Sequence, residues 1–134
     1  FVNDEEIYSK VIETLERPSV YDEVLMLLRD RGFDIPDELI DRDWSSPYEP
    51  HHMVEAAWKS IYQDVDRYWD LYELAESLLD IEYLFQIWRF SHYKSVERLI
   101  GDRFGTGGTE GFSYLVKALD LKFFPELQSI KSKL

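Results

Sequence analysis

The chain has 134 residues, 45% of them hydrophobic and 16% aromatic, and its formal net charge is −12. That length fits one domain with a sizeable core, so extensive disorder is excluded. The acidic balance argues against nucleic-acid partners and anionic membrane surfaces, which both attract Lys and Arg. The chain has no cysteine, which excludes disulfides and thiolate metal sites, and no apolar run approaches the length of a membrane span. We therefore expect a cytoplasmic protein.

The first fifty residues predict three helices and a loop. Apolar residues recur three and four positions apart, which is typical of one helical face, and Pro18 ends the first such stretch. Ser19 is the expected N-cap of the second helix, because Asp22 follows three residues later. The expected elements are helices over residues 4–16, from Val20 to a stop at Gly32 and over 35–40, then a loop over 44–50.

The rest of the chain predicts longer helices around a glycine-rich loop. Residues 51–101 contain no helix breaker but exceed the usual length of one helix, so we expect two helices with a bend between Asp66 and Leu79. Four of the six glycines lie within residues 105–111. Short helices over 112–119 and 125–131 complete the chain. The predicted fold is a single all-α domain of residues 1–134, a helical bundle with two long helices, a glycine-rich loop and short C-terminal helices.

His92 is the strongest candidate for chemistry. It shares a predicted helical face with five apolar residues, which are Ile81, Phe85, Trp88, Val96 and Leu99. A histidine on such a face is expected to lack water for both ring nitrogens and to need another partner. Haem iron is one possible partner, since a helical histidine in an apolar pocket often serves as its axial ligand. A core histidine bonded to a backbone carbonyl is the alternative.

Two further features surround this histidine. The basic residues Arg89, Lys94, Arg98 and Arg103 outnumber the acidic Glu97 and Asp102, and they suit either haem propionates or a substrate carboxylate, or simply a solvated face. The glycine-rich loop fits neither a phosphate loop nor a dinucleotide fingerprint, because no strand precedes it. A lid over a ligand is one interpretation of the loop, with Thr106 and Thr109 as its hydrogen-bonding side chains, and an ordinary linker is the other.

Two acidic patterns are weaker candidates for metal sites. Glu49 and His52 form one Glu-x-x-His element, but di-iron bundles need two copies and further carboxylates. A row of acidic residues over 64–82 lacks the loop of a calcium site, and we interpret it as a solvated helix face.

Several motifs resemble the tryptophan 2,3-dioxygenase family. The run WRFSH at 88–92 is similar to the family's W-R-F-x-H, and GTGG at 105–108 and FFPEL at 123–127 resemble its later signatures in the same order. RDW at 42–44 and DRYW at 66–69 also have close counterparts. The similarity covers nearly the whole chain, which corresponds to the family's carboxy-terminal half.

The resemblance implies a haem enzyme that inserts both atoms of O₂ into L-tryptophan to give N-formylkynurenine, the first step of tryptophan degradation by the kynurenine route. It implies that His92 is the axial ligand of the haem iron and that Thr106 contacts the substrate's amino-acid end. The family forms homotetramers, and its amino-terminal half supplies the distal pocket. Because the chain begins at Phe1, we expect that half to be absent, so no catalytic residue is assigned here and the fragment alone is expected to be inactive.

Two departures from the family pattern leave other functions open. Phe104 stands where the family usually has a basic residue, and Glu110 stands where a serine is common. A haem-dependent hydroxylase of a tyrosine-like aromatic amino acid is therefore an alternative. A non-catalytic helical interaction module is a second alternative, of a different class.

Overall fold

Seven α-helices make up the regular structure of the residues that the computed structural model describes, which are 3–100 and 109–134. No strand occurs within those two ranges, so the predicted all-α class is confirmed. No helix within them is both long and apolar enough to cross a bilayer. The helices are α1 (Asp4–Leu15), α2 (Val20–Asp30), α3 (Asp37–Ile40), α4 (His52–Gln63), α5 (Trp69–Ile100), α6 (Thr109–Ala118) and α7 (Pro125–Lys131).

The helix ends follow the local sequence signals. Ser19 and Asp22 form a reciprocal capping box at the start of α2, in which each side chain accepts the other residue's backbone N–H. Gly32 follows the end of α2 with a φ of 94°, a left-handed conformation that side chains other than glycine rarely adopt. Residues 51–101 contain two helices, as predicted, but the break between them lies at residues 64–68 and only overlaps the start of the bend expected between Asp66 and Leu79. Helix α6 begins at Thr109, slightly before its predicted start.

The described residues separate into two compact units, and the prediction of a single domain stays a prediction. The first unit contains the chain up to Tyr68 together with Pro125–Leu134, and the second contains Trp69–Phe124. In the first unit α4 packs on α7, and α2 contacts α3. Each fully buried aliphatic side chain contributes roughly 2 kcal/mol of hydrophobic free energy. The core side chains of α2, α4 and α7 are Tyr21, Val24, Leu25, Leu28, Val54, Ala57, Trp58, Ile61, Leu127 and Ile130.

A buried carboxylate connects three elements of the first unit. Glu126 is 1% exposed, and its Oε2 accepts the Tyr21 hydroxyl at 2.8 Å and the His51 backbone N–H at 3.2 Å. Burial raises the pKa of Glu126, and the hydrogen bonds from Tyr21 and His51 only partly oppose that effect. Burial, with the adjacent Glu126, also raises the pKa of Tyr21. The pair therefore holds α2, the start of α4 and α7 together at an electrostatic cost.

A buried ion pair joins α2 to the loop before α4. The Arg42 guanidinium donates to both carboxylate oxygens of Asp22, at 2.7 and 3.0 Å, and to the carbonyl oxygens of Asp43 and Ser46. Burial alone would raise the pKa of Asp22, but the hydrogen bonds from Arg42 and Ser19 outweigh it and lower that pKa below 3.8. The RDW motif at 42–44 thus anchors its own loop through a bidentate contact.

The second unit is built on α5, whose burial is uneven along its length. The buried side chains of α5 are Leu71, Ala75, Leu78 and Glu82, at the spacing of one helical face. Helix α6 packs on α5. From Tyr83 to Ile100 no side chain of α5 is buried, although much of this stretch is apolar. The second half of the helix therefore exposes apolar surface.

Replacing the buried aspartate tests the ion pair. Asp22→Asn removes the carboxylate charge that binds the Arg42 guanidinium. We expect this variant to lower the free energy of unfolding at neutral pH by about 3 kcal/mol. Because the pKa of Asp22 is depressed in the folded chain, its contribution is present above pH 3.8 and is lost as the pH falls below that value. Urea denaturation followed by circular dichroism measures both effects. Asp30→Asn, at the exposed end of the same helix, is the control, and equal losses in the two variants would contradict this assignment.

The raised pKa of Glu126 predicts a different pH dependence. The folded chain retains the Glu126 proton at pH values where the unfolded chain has lost it, so the free energy of unfolding should fall as the pH rises above 4.5. Glu126→Gln cannot titrate, and its stability curve should be flatter on the alkaline side of pH 4.5 than that of the parent chain. Glu38→Gln, which removes an exposed carboxylate of the same unit, should leave the slope unchanged. Parallel curves for the parent and Glu126→Gln would show that this carboxylate ionises normally.

Candidate functional site

His92 lies in the exposed second half of α5. Its imidazole stacks on the Trp88 ring, one helical turn earlier, with ring centroids 5.1 Å apart and planes 8° from parallel. The expectation that this histidine lacks access to water is wrong for the described chain, because His92 is exposed. The apolar face follows the predicted spacing, but four of its five apolar residues, Ile81, Phe85, Trp88 and Leu99, are exposed in the described chain. An exposed imidazole can offer a ring nitrogen to a ligand or an ion.

The neighbours of His92 on this side of α5 form an apolar depression. Leu84, Phe85 and Trp88 line a shallow cavity of about 300 Å³, and Leu84 and Trp88 are 63% and 61% exposed. His92 follows Trp88 by one turn on the same side of the helix. The histidine therefore stands at the end of a broad apolar surface, a setting that suits a flat, largely hydrophobic ligand.

The basic residues near His92 have different surroundings. Arg89 is only half-exposed, and its Nη1 donates to the carbonyl oxygen of Leu121 at 2.9 Å. Lys94 pairs with Glu97 at 3.3 Å on the surface of α5. Arg98 is exposed, and Arg103 lies outside the described residues. Arg89 and Lys94 are thus engaged by the protein, and among the described basic residues near His92 we assign Arg98 as the candidate partner of an anionic group.

Sequence reasoning missed the role of Glu82. We interpreted the acidic residues over 64–82 as a solvated face, but Glu82 is 1% exposed and is the last buried side chain of α5. Its Oε1 accepts the backbone N–H of Phe123 at 2.8 Å, and its Oε2 accepts that of Phe124 at 3.2 Å. One signal was available in the spacing of α5, because Glu82 continues the 71, 75, 78 pattern of the buried face.

Two α5 residues beyond Glu82 contact the same segment. The Phe85 and Phe123 rings meet edge to face at 5.3 Å, and the Arg89 guanidinium lies 4.6 Å from the Phe123 ring centroid. Glu82, Phe85 and Arg89 therefore hold residues 121–124 along one side of α5. We call this set of contacts the clasp.

The remaining candidate residues do not assemble a site within the described residues. His51 is the N-cap of α4, where its Nδ1 accepts the Met53 N–H at 3.1 Å, and both Glu49 and His52 are exposed. No three His, Asp or Glu side chains in ranges 3–100 and 109–134 come together as a metal site. Thr106 lies outside these ranges.

A larger cleft of about 390 Å³ lies in the first unit, beside Tyr21, Arg42 and Tyr48. The centroids of the two stacked tyrosine rings are 3.8 Å apart. The Arg42 guanidinium lies over the Tyr48 ring and also pairs with the Asp22 carboxylate. Because the charged and aromatic groups of this cleft already satisfy one another, we assign them to the stability of the first unit.

The exposure of α5 is testable by charge insertion. Leu84→Lys places a charge on a surface position, so we expect the free energy of unfolding to change by only about 0.5 kcal/mol. The same variant should bind an apolar fluorescent dye less strongly, because the depression loses one of its apolar walls. Leu78→Lys is the matched control on the buried face, and it should cost about 3 kcal/mol or more. Similar stabilities for the two variants would contradict the assignment of faces.

Comparison with known proteins agrees with the motifs. A sequence profile of tryptophan 2,3-dioxygenase matches residues 59–134, more than half of the chain. Tryptophan 2,3-dioxygenase from Geobacillus thermodenitrificans is 51% identical over all 134 residues, and that from Bacillus anthracis is 46% identical over the same length. The enzyme from Shewanella woodyi is 47% identical over 98% of the chain.

The chain spans about half the length of these curated relatives, 48% of the Geobacillus and Bacillus proteins and 46% of the Shewanella protein. The profile match is continuous over residues 59–134. It therefore includes both α5 and residues 121–124, which the clasp holds. A profile match over most of the residues, together with close identity along the whole chain, establishes that this chain belongs to the tryptophan 2,3-dioxygenase family.

Proposed function

We propose that this chain is the haem-ligand half of an enzyme that converts L-tryptophan and O₂ to N-formylkynurenine, with His92 as the axial ligand of the haem iron. The observation that carries the proposal is an exposed imidazole beside an uncovered apolar depression. Family membership supplies the expected reaction, and the surface around His92 supplies the physical reason to choose this histidine among the three in the chain.

The residues around His92 fit a haem. The flat faces of Phe85 and Trp88 and the side chain of Leu84 offer an apolar wall for a macrocycle. Arg98 is an exposed cation within two helical turns of His92, and it suits a propionate carboxylate. When bound, the haem supplies the iron chemistry that activates O₂, while the protein supplies ligand, charge and access. The proposed role of His92 is to bind the haem iron through one ring nitrogen.

The chain needs further protein to form a complete pocket. The chain covers about half the length of its relatives, and the exposed side of α5 requires a covering surface. We propose that an amino-terminal half supplies the distal pocket and that the complete protein is a homotetramer. Thr106 is the proposed contact to the amino-acid end of tryptophan. We assign no catalytic residue within this chain.

Haem reconstitution tests His92 directly. The protein of full family length is titrated with hemin and followed by absorbance, beside the His92→Ala and His52→Ala variants. We expect the Soret band to shift or vanish in His92→Ala, with haem affinity at least about tenfold weaker. His52→Ala, which removes an exposed histidine at the start of α4, should behave as the parent.

The present chain without its amino-terminal half should take up haem only weakly. A spectrum that is indifferent to His92, or a full-length protein without haem uptake, would overturn the proposal and favour a non-catalytic interaction module. Product analysis with tryptophan and with tyrosine then separates the proposed dioxygenase from a hydroxylase, since only the first releases N-formylkynurenine.

A further inference from the structure

The part of α5 that carries His92 has few anchors. Glu82 is the last buried side chain of the helix, and His92 lies ten residues beyond it, a distance of about 15 Å along the helix axis. All the intervening side chains are exposed or half-exposed. A helical segment with so few buried contacts can bend or fray unless something else holds it.

The clasp supplies such a hold. Glu82 receives two backbone N–H groups, from Phe123 and Phe124, so that both carboxylate oxygens are used. Charge-assisted hydrogen bonds of this kind are stronger than neutral ones, and a buried carboxylate that lost them would be left unsatisfied. The interaction therefore fixes residues 123 and 124 to the base of the exposed segment.

Arg89 extends the clasp toward His92. Its guanidinium makes two contacts to the clasped segment, a hydrogen bond to the Leu121 carbonyl and a cation–π contact with the Phe123 ring. Arg89 precedes His92 by three residues, or about 4.5 Å along the axis, and so lies nearly one turn away on neighbouring faces of the helix. Clasp contacts thus reach from Glu82 to within one turn of the histidine.

We propose that Glu82 and Arg89 are positioning residues for His92, which hold the second half of α5 against residues 121–124 and so fix the direction of the imidazole. This inference rests on the proposed role of His92 as the axial ligand. It also assigns Arg89 to the clasp and not to a propionate or substrate carboxylate, the other role that its charge suggests. Iron–histidine bonding depends on imidazole direction, so a loosened clasp should broaden the range of ligand geometries.

The test compares Glu82→Gln and Arg89→Lys with two matched controls in the protein of full family length. Glu73→Gln removes an exposed carboxylate from the same helix, and Arg67→Lys changes an exposed arginine that precedes the helix. One readout is hydrogen exchange of the Phe123 and Phe124 amides in the haem-free protein, measured by mass spectrometry. The other is the iron–histidine stretching band of the reduced haem protein, measured by resonance Raman spectroscopy.

We expect both clasp variants to exchange the two amides at least about tenfold faster, because each loses part of its anchor. We also expect both to broaden or split the iron–histidine band, whereas the controls change neither readout. Arg89→Lys retains the charge, so a carboxylate-binding role for Arg89 would leave the amides unchanged and contradict the proposal. Because Arg89 is half-exposed, this variant remains informative if Glu82→Gln fails to fold.

Two outcomes distinguish failure of the positioning role of the clasp from failure of the assignment of His92 as the axial ligand. Faster amide exchange with an unchanged iron–histidine band would show that the clasp secures only residues 121–124, and would overturn the positioning role. A band that persists in His92→Ala would show that another residue binds the iron. The proposed function would then fail together with this inference, while the exchange data would still report whether the clasp exists.

Discussion

Helix α5 carries more apolar surface than the described part of the chain covers, and this constraint governs the second unit. Successive residues of a helix point about 100° apart, yet Tyr83, Leu84 and Phe85 are all exposed. These three side chains together span about 200° of the helix circumference, so the exposed apolar surface is broad. An exposed apolar surface of that breadth suits contact with other protein or with a ligand. We therefore interpret the second unit as the part of the chain that presents a surface for the proposed haem and for further protein.

Three buried carboxylates connect structural elements within the two units. Asp22, Glu82 and Glu126 are each 1–2% exposed, and each is satisfied by donors from another element of its own unit. Asp22 receives the Arg42 fork, Glu82 receives two backbone N–H groups, and Glu126 receives a tyrosine hydroxyl and one backbone N–H. The donors of the three carboxylates differ in charge. Only Asp22 has a full opposite charge, which explains why its pKa falls while that of Glu126 rises.

Local features of the sequence predicted the helices well, because their causes are local. The Ser19 capping box and the Gly32 stop depend on residues within a few positions of each other, and the start of α7 at Pro125 follows from the fixed φ of proline. The burial of Glu82 and Glu126 was not predicted. Their donors are distant in the sequence, 41 residues away for Glu82 and 105 for the Tyr21 hydroxyl. The spacing within α5 indicates the face on which Glu82 lies, but it does not indicate which distant groups donate to these carboxylates.

The assignment of His92 as the ligand stays a prediction, and the environment predicted for it was wrong for a related reason. The spacing of Ile81, Phe85, Trp88 and His92 correctly gives one apolar face, since that depends only on helix geometry. Whether such a face is covered depends on which surfaces are present to cover it, and the spacing gives no measure of that. For an axial ligand the exposure is physically appropriate. A histidine already buried and bonded to a backbone carbonyl would have to give up that bond before it could bind iron. The Trp88 stack restrains the imidazole while the side chain stays exposed, so assembly of the proposed pocket can bury apolar surface without breaking a backbone hydrogen bond of His92.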